Sequence, residues 1–152
     1  MRKNFLLMLS LVLLSGGIFT SCRQETQPIA ACNEFFKVEI QHLKGDSCKV
    51  RIFPKSDTLS YYFDMTTPGI YEKYNSFSST GYSLYIHDLV ADLSGKFMVP
   101  SLEIGNMLLF RGDSDYVFPR NAKDDHLILF ISAFDQRMNP LSVPLVITVP
   151  FS

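Results

Sequence analysis

The sequence of 152 residues lacks an excess of charge of either sign. Its 14 lysine and arginine residues face 15 aspartate and glutamate residues, so the formal net charge is -1. A chain without a basic stripe has little with which to neutralise phosphates, and nucleic acid is therefore not an expected partner. Charged residues make up only 19% of the chain against the usual ~25%, and 47% are hydrophobic, which argues against disorder and against a long coiled coil. We expect one globular domain.

The sequence also lacks the patterns that carry most catalytic and metal chemistry. It contains no Gly-x-Ser-x-Gly elbow, no His-Glu-x-x-His pair, no phosphate loop and no dinucleotide fingerprint. The three histidines, His42, His87 and His126, are scattered, and no cysteine or histidine pair stands at ligand spacing. We therefore predict a protein that is not an enzyme, with no catalytic residue, no metal site and no cofactor.

The first 21 residues are typical of a secretory signal. Arg2 and Lys3 precede an uncharged apolar run over 5–19. This run is shorter than the ~20 residues of a membrane-spanning helix, but it suits the apolar region of a signal peptide. It ends in Ile18-Phe19-Thr20-Ser21-Cys22, which resembles the lipobox of bacterial lipoproteins, where a peptidase cuts before a cysteine that carries the lipid.

The lipobox resemblance implies how the mature chain is attached to a membrane. Residues 1–21 would be removed as a lipoprotein signal peptide, Cys22 would be lipidated, and 22–32 would form a tether. Acyl chains stabilise membrane binding by ~0.8 kcal/mol per buried methylene, so two or three chains anchor a protein without a spanning helix. We expect export and then a lipid-anchored location at the outer membrane or cell surface, with the membrane as a partner through the lipid on Cys22.

Two cysteines, Cys32 and Cys48, remain after Cys22 is assigned to the lipid. An exported chain can form disulfides, so this even pair allows a bridge. The hairpin pattern argues the other way, because a turn near 45–46 would pair Cys48 with about Gln41 and leave Cys32 several residues out of register. The sequence leaves both alternatives open.

Alternation of apolar and polar residues predicts strands at both ends of the remaining chain. The runs 36–41 and 48–52 alternate on either side of a turn signal, which predicts a hairpin. A continuous apolar run at 127–131 is typical of a central strand, and Pro144 marks 143–149 as an edge strand. Two further strands are predicted at 59–65 and 116–118.

The middle of the chain changes to helical spacing. Apolar residues recur every three or four positions over 82–93, between Ser79-Thr80 and Gly95, which predicts an amphipathic helix with a cap and a stop. Shorter helices are predicted at 67–74, where Pro68 stands in the first turn, and at 101–110.

Six segments of the chain form a series: 36–40, Cys48-Lys49-Val50-Arg51-Ile52-Phe53-Pro54-Lys55-Ser56-Asp57, Tyr61-Tyr62-Phe63-Asp64, Leu109-Phe110-Arg111-Gly112-Asp113, 127–135 and 142–149. This series resembles the immunoglobulin-like or fibronectin-III-like domains in small outer-membrane lipoproteins of gut-type Gram-negative anaerobes. The resemblance implies a mainly β fold, with a β-sandwich over 33–152 and a helical insertion at about 67–112. It implies a fold and a location, and it brings no catalytic residues.

Tyrosines are concentrated in the third predicted strand and in the insertion. Exposed on the insertion, Tyr71, Tyr74, Tyr82 and Tyr85 would form a binding surface that stacks on sugar rings or anchors a protein. The alternative is that they line the core beneath the insertion. We expect a non-catalytic, lipid-anchored cell-envelope protein that serves as a binding or assembly module, with an envelope protein or a glycan as its partner. The alternatives are a fimbrial or adhesin accessory subunit and a glycan-binding accessory protein of an outer-membrane uptake system.

Overall fold

The computed structural model describes residues 28–43, 47–119 and 125–150. Of these residues, 43% lie in strands and 31% in helices, which confirms the expectation of a mainly β fold. The predicted signal peptide and Cys22 lie outside the described residues. The strands are β1 (Ile29–Cys32), β2 (Phe36–Leu43), β3 (Ser47–Pro54), β4 (Ser60–Thr66), β5 (Ser114–Pro119), β6 (His126–Phe134) and β7 (Leu145–Pro150). The helices are α1 (Pro68–Lys73), α2 (Ser79–Phe97) and α3 (Ser101–Leu108), with a short 3-10 turn at Asn75–Phe77.

The first sheet has the antiparallel strand order β1-β2-β3-β5. β2 and β3 pair as the predicted hairpin, with Ile40 opposite Val50, and the turn residues 44–46 lie outside the described residues. β5 joins the free side of β3 after the helical segment, with Tyr116 opposite Val50. The alternation seen in the sequence is therefore the alternation between the inner and outer faces of this sheet.

The C-terminal part of the segment 22–32, which was expected to be a tether, belongs to the first sheet. Its last four residues, Ile29–Cys32, form β1 and pair with β2, with Ile29 opposite Ile40. Ile29 and Ala31 pack against the core, and Cys32 is exposed. Four residues that include two alanines give too short an alternation to reveal a strand in the sequence.

The second sheet has the antiparallel order β4-β6-β7. β6 is the central strand and is buried on both faces from Leu127 to Phe134, which explains the continuous apolar run and confirms that prediction. β7 is an edge strand, as predicted, although it begins at Leu145, directly after Pro144. Pro144 stands before the strand because it has no N–H for a ladder hydrogen bond.

One hydrophobic core lies between the two sheets. The rings of Phe36 and Tyr61 meet edge to face with their centroids 5.4 Å apart. The Tyr61 hydroxyl donates to the carbonyl of Gly112 at 2.7 Å and lies 2.6 Å from Oγ of Ser114. The first residues of β2, β4 and β5 therefore lie together at one end of the fold, which we call the upper end. The buried members of this core are Phe36, Val38, Ile40, Cys48, Val50, Ile52, Tyr61, Phe63, Leu129, Ile131, Ala133, Ile147 and Val149.

The helices form a layer on the outer face of the β4-β6-β7 sheet. A second core lies beneath this helical layer and uses the other face of β4 and β6. Within the described ranges, no helix is long and apolar enough to cross a membrane. The buried members of the second core are Tyr62, Tyr74, Phe77, Tyr82, Ile86, Phe130 and Phe134.

Side-chain caps fix where the helices begin. Thr67 Oγ1 accepts from the Ile70 amide at 3.4 Å, and Pro68 is the first residue of α1, as predicted. Ser78 is the cap of α2 and accepts from the Gly81 amide at 3.3 Å, so α2 begins close to the predicted position. Serine and threonine oxygens are good acceptors for the unpaired amides of a first turn.

The C-terminal end of α2 differs from the prediction. Gly95 was expected to stop the helix, but it lies inside α2, which continues to Phe97. The helix ends at Met98, whose backbone is left-handed with φ 56°. An exposed interior glycine costs a helix only about 1 kcal/mol, so Gly95 alone does not end α2.

Candidate functional site

The four tyrosines predicted as a binding surface belong to the second core instead. Tyr82 is only 1% exposed and Tyr74 only 9% exposed, whereas Tyr71 and Tyr85 are half-buried against the same cluster. The prediction of an exposed tyrosine surface is therefore wrong, and the alternative of tyrosines lining a core beneath the insertion is the correct one. Their aromatic area stabilises the contact between helices and sheet.

Phe77 lies at the centre of this second core. Its ring centroid is 4.8 Å from that of Phe130 and 5.1 to 5.4 Å from those of Tyr71, Tyr82 and Tyr85. The backbone reaches this position through three consecutive residues with positive φ, at 75–77. Left-handed backbone is costly for residues other than glycine, so the burial of the Phe77 ring compensates for the strained turn.

A half-buried carboxyl group, that of Asp64, lies on the helix-covered side of β4. Asp64 accepts hydrogen bonds from the Tyr62 hydroxyl at 3.1 Å and from the Met65 amide at 2.7 Å. Burial raises the pKa of Asp64, although both hydrogen bonds favour its charged form. Burial also raises the pKa of Tyr62, and it raises the pKa of Tyr85 to about 12. The protonated forms of these carboxyl and hydroxyl groups are therefore favoured in this part of the second core.

A groove of about 480 Å³ lies between α2, α3 and the loop that joins β6 to β7. The α2 residues that line it recur at the three- and four-residue spacing of one helix face. The lining residues are Ser83, Ile86, His87, Val90, Ala91, Ser101, Leu102, Gly105, Arg137, Met138, Asn139 and Pro140. Ligand pockets commonly have volumes of ~300–1,000 Å³ and combine an apolar lining with a few polar groups. The groove fits this description and is the candidate functional site.

The loop that closes the groove is held by hydrogen bonds to one carboxylate. Asp135 Oδ1 accepts from the amides of Arg137 and Asn139 at 2.8 and 2.9 Å, and Oδ2 accepts from Asn139 Nδ2 at 3.0 Å. The Asn139 side chain contributes most to lowering the pKa of Asp135, followed by the backbone amides. No pattern in the sequence indicates that this loop meets two helices.

Close packing joins this loop to α3. A Cβ atom added to Gly105 would lie 2.7 Å from Cγ of Met138, so α3 approaches the loop at a residue without a side chain. Met138 has a left-handed backbone, with φ 63°. Methionine adapts readily to irregular surfaces, and here it forms part of the groove wall.

The polar groups of the groove are hydroxyl, amide and basic side chains. His87 Nδ1 lies 3.5 Å from Oδ1 of the neighbouring Asp88. The hydroxyl of Ser83 donates to the Ser79 carbonyl at 2.9 Å. Among the described residues, the guanidinium of Arg137 forms no ion pair. The groove can therefore offer basic donors to a bound molecule.

Large apolar side chains are exposed on the elements that form the groove. Leu102 lines the groove and is itself mostly exposed. Exposed apolar groups that occur together often mark interaction sites. The other exposed members are Leu84 on α2, Phe97 and Met98 near the α2–α3 corner, Met107 in the last turn of α3, and Leu141 and Val143 in the β6–β7 loop.

A second exposed feature is the free side of β5, which is an edge of the first sheet. Tyr116 and Val117 are each about half exposed there. The ring of Phe110 packs on Phe63 with centroids 4.7 Å apart and is also partly exposed. Edge strands with exposed apolar residues can pair with a strand from another chain.

The two described cysteines are both free, with Cys32 exposed and Cys48 buried. Cys32 pairs with Lys37 and Cys48 with His42. Five positions along β2 correspond to ~17 Å, whereas a disulfide needs its Cα atoms within ~7 Å. Cys32 and Cys48 therefore do not form a disulfide in this structure.

Burial raises the pKa of the Cys48 thiol, which keeps this group in its protonated, unreactive form. Over the ranges that the structure describes, no three histidine, cysteine or acidic side chains are grouped as metal ligands. No protein-family model matches the chain, and no curated protein or solved structure matches it either.

Proposed function

We propose that this chain is a non-catalytic, lipid-anchored cell-envelope protein that presents the groove of its helical layer to a partner. The lipobox-like ending of the first 22 residues supports the anchor. The groove supports a binding role, because loops and inserted segments on a rigid scaffold commonly carry function. The membrane, through the lipid on Cys22, and an envelope partner at the groove are the two partners of this proposal.

We also propose that the fold is an immunoglobulin-like or fibronectin-III-like sandwich. Sandwiches of the immunoglobulin class carry strands A, B and E in one sheet and C, F and G in the other. Here β2-β3-β5 and β4-β6-β7 follow the same order, with β1 added at one edge. The helices stand between β4 and β5, where strand D would come in the chain. This correspondence supports the proposed family of folds.

The observation that carries the proposed function is the placement of the groove relative to the N-terminal segment. The chain enters β1 opposite Ile40 and runs towards Cys32, which lies near the upper end. β1 therefore begins at the lower end. β6 also runs towards the upper end, where its last residue, Phe134, lies opposite Ser60. The β6–β7 loop and the groove thus lie away from the side from which a lipid tether would arrive.

The anchor is tested by fractionating cells that express the chain and its Cys22→Ala variant. We expect the parent in the membrane fraction and the variant released. Cys32→Ala is the matched control, because it replaces an exposed cysteine that is not the proposed lipid attachment site, and it should leave the protein with the membrane. A Cys22→Ala protein that still pellets with the membrane would contradict the proposal.

Protease treatment of intact cells then reports which compartment the groove faces. Digestion of the anchored chain on intact cells would place the partner outside the cell. Protection until lysis would place the partner within the envelope. Because the exposed α2–α3 corner includes Met98, at 93% exposure, cleavage is expected first near this corner.

The free edge of β5 favours a second candidate, assembly through strand pairing. In the immunoglobulin order strand D pairs with strand E. Here β5 corresponds to strand E, and no described strand pairs with its free side. β5 also carries the exposed residues Tyr116 and Val117, so a strand from another chain could pair there. This supports the alternative of a fimbrial or adhesin accessory subunit. Val117→Lys should abolish concentration-dependent oligomers if the edge pairs, whereas oligomers that persist would remove this candidate. The glycan-binding alternative loses the support of the four tyrosines, because they are packed in the second core.

A further inference from the structure

We propose that the groove binds an anionic amphiphile, that is, a molecule with one carboxylate or phosphate head and an apolar chain. This inference rests on the proposed function, because it names the ligand class of the same groove.

The apolar part of the ligand is indicated by the walls of the groove. Ile86 and Val90 form one wall on α2, Leu102 lies on α3, and Met138 and Pro140 close the groove from the β6–β7 loop. Burying apolar area at such walls stabilises a complex by about 25 cal/mol per Å² before the costs of association. A hydrocarbon chain fits walls that are formed by aliphatic and thioether side chains.

The anionic part is indicated by the ionisable side chains of the lining. These are His87 and Arg137, and no acidic side chain lines the groove. Arginine offers a planar fork of donors that matches carboxylate and phosphate oxygens. Two basic residues and no acidic residue in the lining therefore favour a negative head group over a neutral or positive one.

The acidic groups nearest to these two bases are already engaged. Asp88 accepts from the Tyr74 hydroxyl at 3.0 Å and lies 3.5 Å from the His87 ring. Asp135 uses both carboxylate oxygens for hydrogen bonds within its own loop. The Arg137 charge helps to lower the pKa of Asp135, but neither carboxylate accepts a hydrogen bond from the Arg137 side chain. The donors of this guanidinium can therefore bind a ligand anion.

The test is calorimetric titration of the mature chain, as Cys22→Ala so that no attached lipid competes. Four ten-carbon amphiphiles are compared below their micelle concentrations: decanoate, decyl phosphate, decyl maltoside and decyltrimethylammonium. We expect the two anions to bind at least about tenfold more tightly than the neutral and cationic molecules. Equal binding of the neutral amphiphile, or equal binding of inorganic phosphate without a chain, would overturn the inference.

Variants locate the site. Arg137→Gln should weaken decanoate about tenfold, and Ala91→Phe, at an exposed position of the lining, should block the groove while leaving α2 intact. The matched control is Lys37→Gln, which also removes one positive charge but lies in β2 of the other sheet and pairs with Glu39. Decanoate affinity that is unchanged in Arg137→Gln, or reduced equally in the control, contradicts the inference.

Methionine methyl resonances give an independent readout. The Met138 signal should shift on decanoate binding, whereas that of Met65, which packs against the core between the sheets, should not.

Comparison of the two anions distinguishes the two possible head groups. Tighter binding of decyl phosphate indicates a phosphate head, and tighter binding of decanoate indicates a carboxylate head. An acidic peptide that binds the groove while both anions fail would overturn this inference and leave the proposed envelope function standing. If Cys22→Ala fails to release the chain from the membrane, the proposed lipid anchor is wrong, whereas binding of the two anions at the groove would still support this inference.

Discussion

Phe77 is the side chain that most directly holds the helical layer on the β4-β6-β7 sheet. It is 2% exposed, and its ring contacts those of Phe130, Tyr71, Tyr82 and Tyr85 at centroid distances of 4.8 to 5.4 Å. Phe77→Ala removes the ring from the second core and leaves a cavity bounded by these four side chains. The strained backbone at 75–77 also loses the burial that compensates for it.

Replacing a buried phenylalanine by alanine costs about 3–5 kcal/mol. We expect the upper part of this range, because edge-to-face aromatic pairs contribute ~0.5–1.5 kcal/mol beyond the buried area. For a domain of this size, such a loss lowers the melting temperature by roughly 12–20 °C. The groove should weaken at the same time, since α2 supplies one of its walls.

The measurement is urea unfolding followed by far-ultraviolet circular dichroism. The matched control is Phe97→Ala, which removes the same ring from a position that is 66% exposed. The control should lie within ~0.5 kcal/mol of the parent. A loss below about 1 kcal/mol for Phe77→Ala, or equal losses for the two variants, would refute the packing of the helical layer through this ring.

Three further predictions concern single groups in the two cores. Tyr61→Phe should cost ~1–3 kcal/mol in urea unfolding, because the Gly112 carbonyl loses its donor, and an unchanged midpoint would count against this bond. Asp64→Asn should stabilise the fold increasingly as pH rises above about 4, because burial raises the pKa of this carboxyl and the folded state resists its ionisation. A stability difference that is constant with pH would exclude that cause. Gly81→Ala should lower the free energy of unfolding by ~1–3 kcal/mol or more, because the added Cβ would collide with the Tyr74 carbonyl. A melting temperature equal to that of the parent would contradict the close approach of Gly81 to Tyr74.

The local elements followed from the sequence because their signals are local. The alternation that indicated the β2–β3 hairpin is the alternation of buried and exposed positions in the sheet. The unbroken run of β6 reflects burial on both faces. Thr67 with Pro68 marked the start of α1, because a capping oxygen and a fixed φ act within one turn.

The candidate site could not be predicted in the same way. Its walls come from α2, α3 and the β6–β7 loop. The spacing of residues within any one of these segments does not indicate that the three meet. The tyrosines of the insertion have the composition of a binding surface, yet Tyr82 is buried, because the helices fold down onto the outer face of β6. Exposure is a property of the docked layers and not of the residue types.

The sequence by itself therefore indicated six of the seven described strands, the helical middle and the β2–β3 hairpin, and the export and anchoring signal proposed at Cys22 rests on the sequence alone. These depend on periodicity, caps and composition over fewer than about 20 residues. Only the tertiary structure decided that β5 pairs with β3, that β1 extends the first sheet, and which residues line the groove. The physical reason is that such contacts join segments far apart in the chain, and their stability comes from packing between layers that no single segment can bury alone.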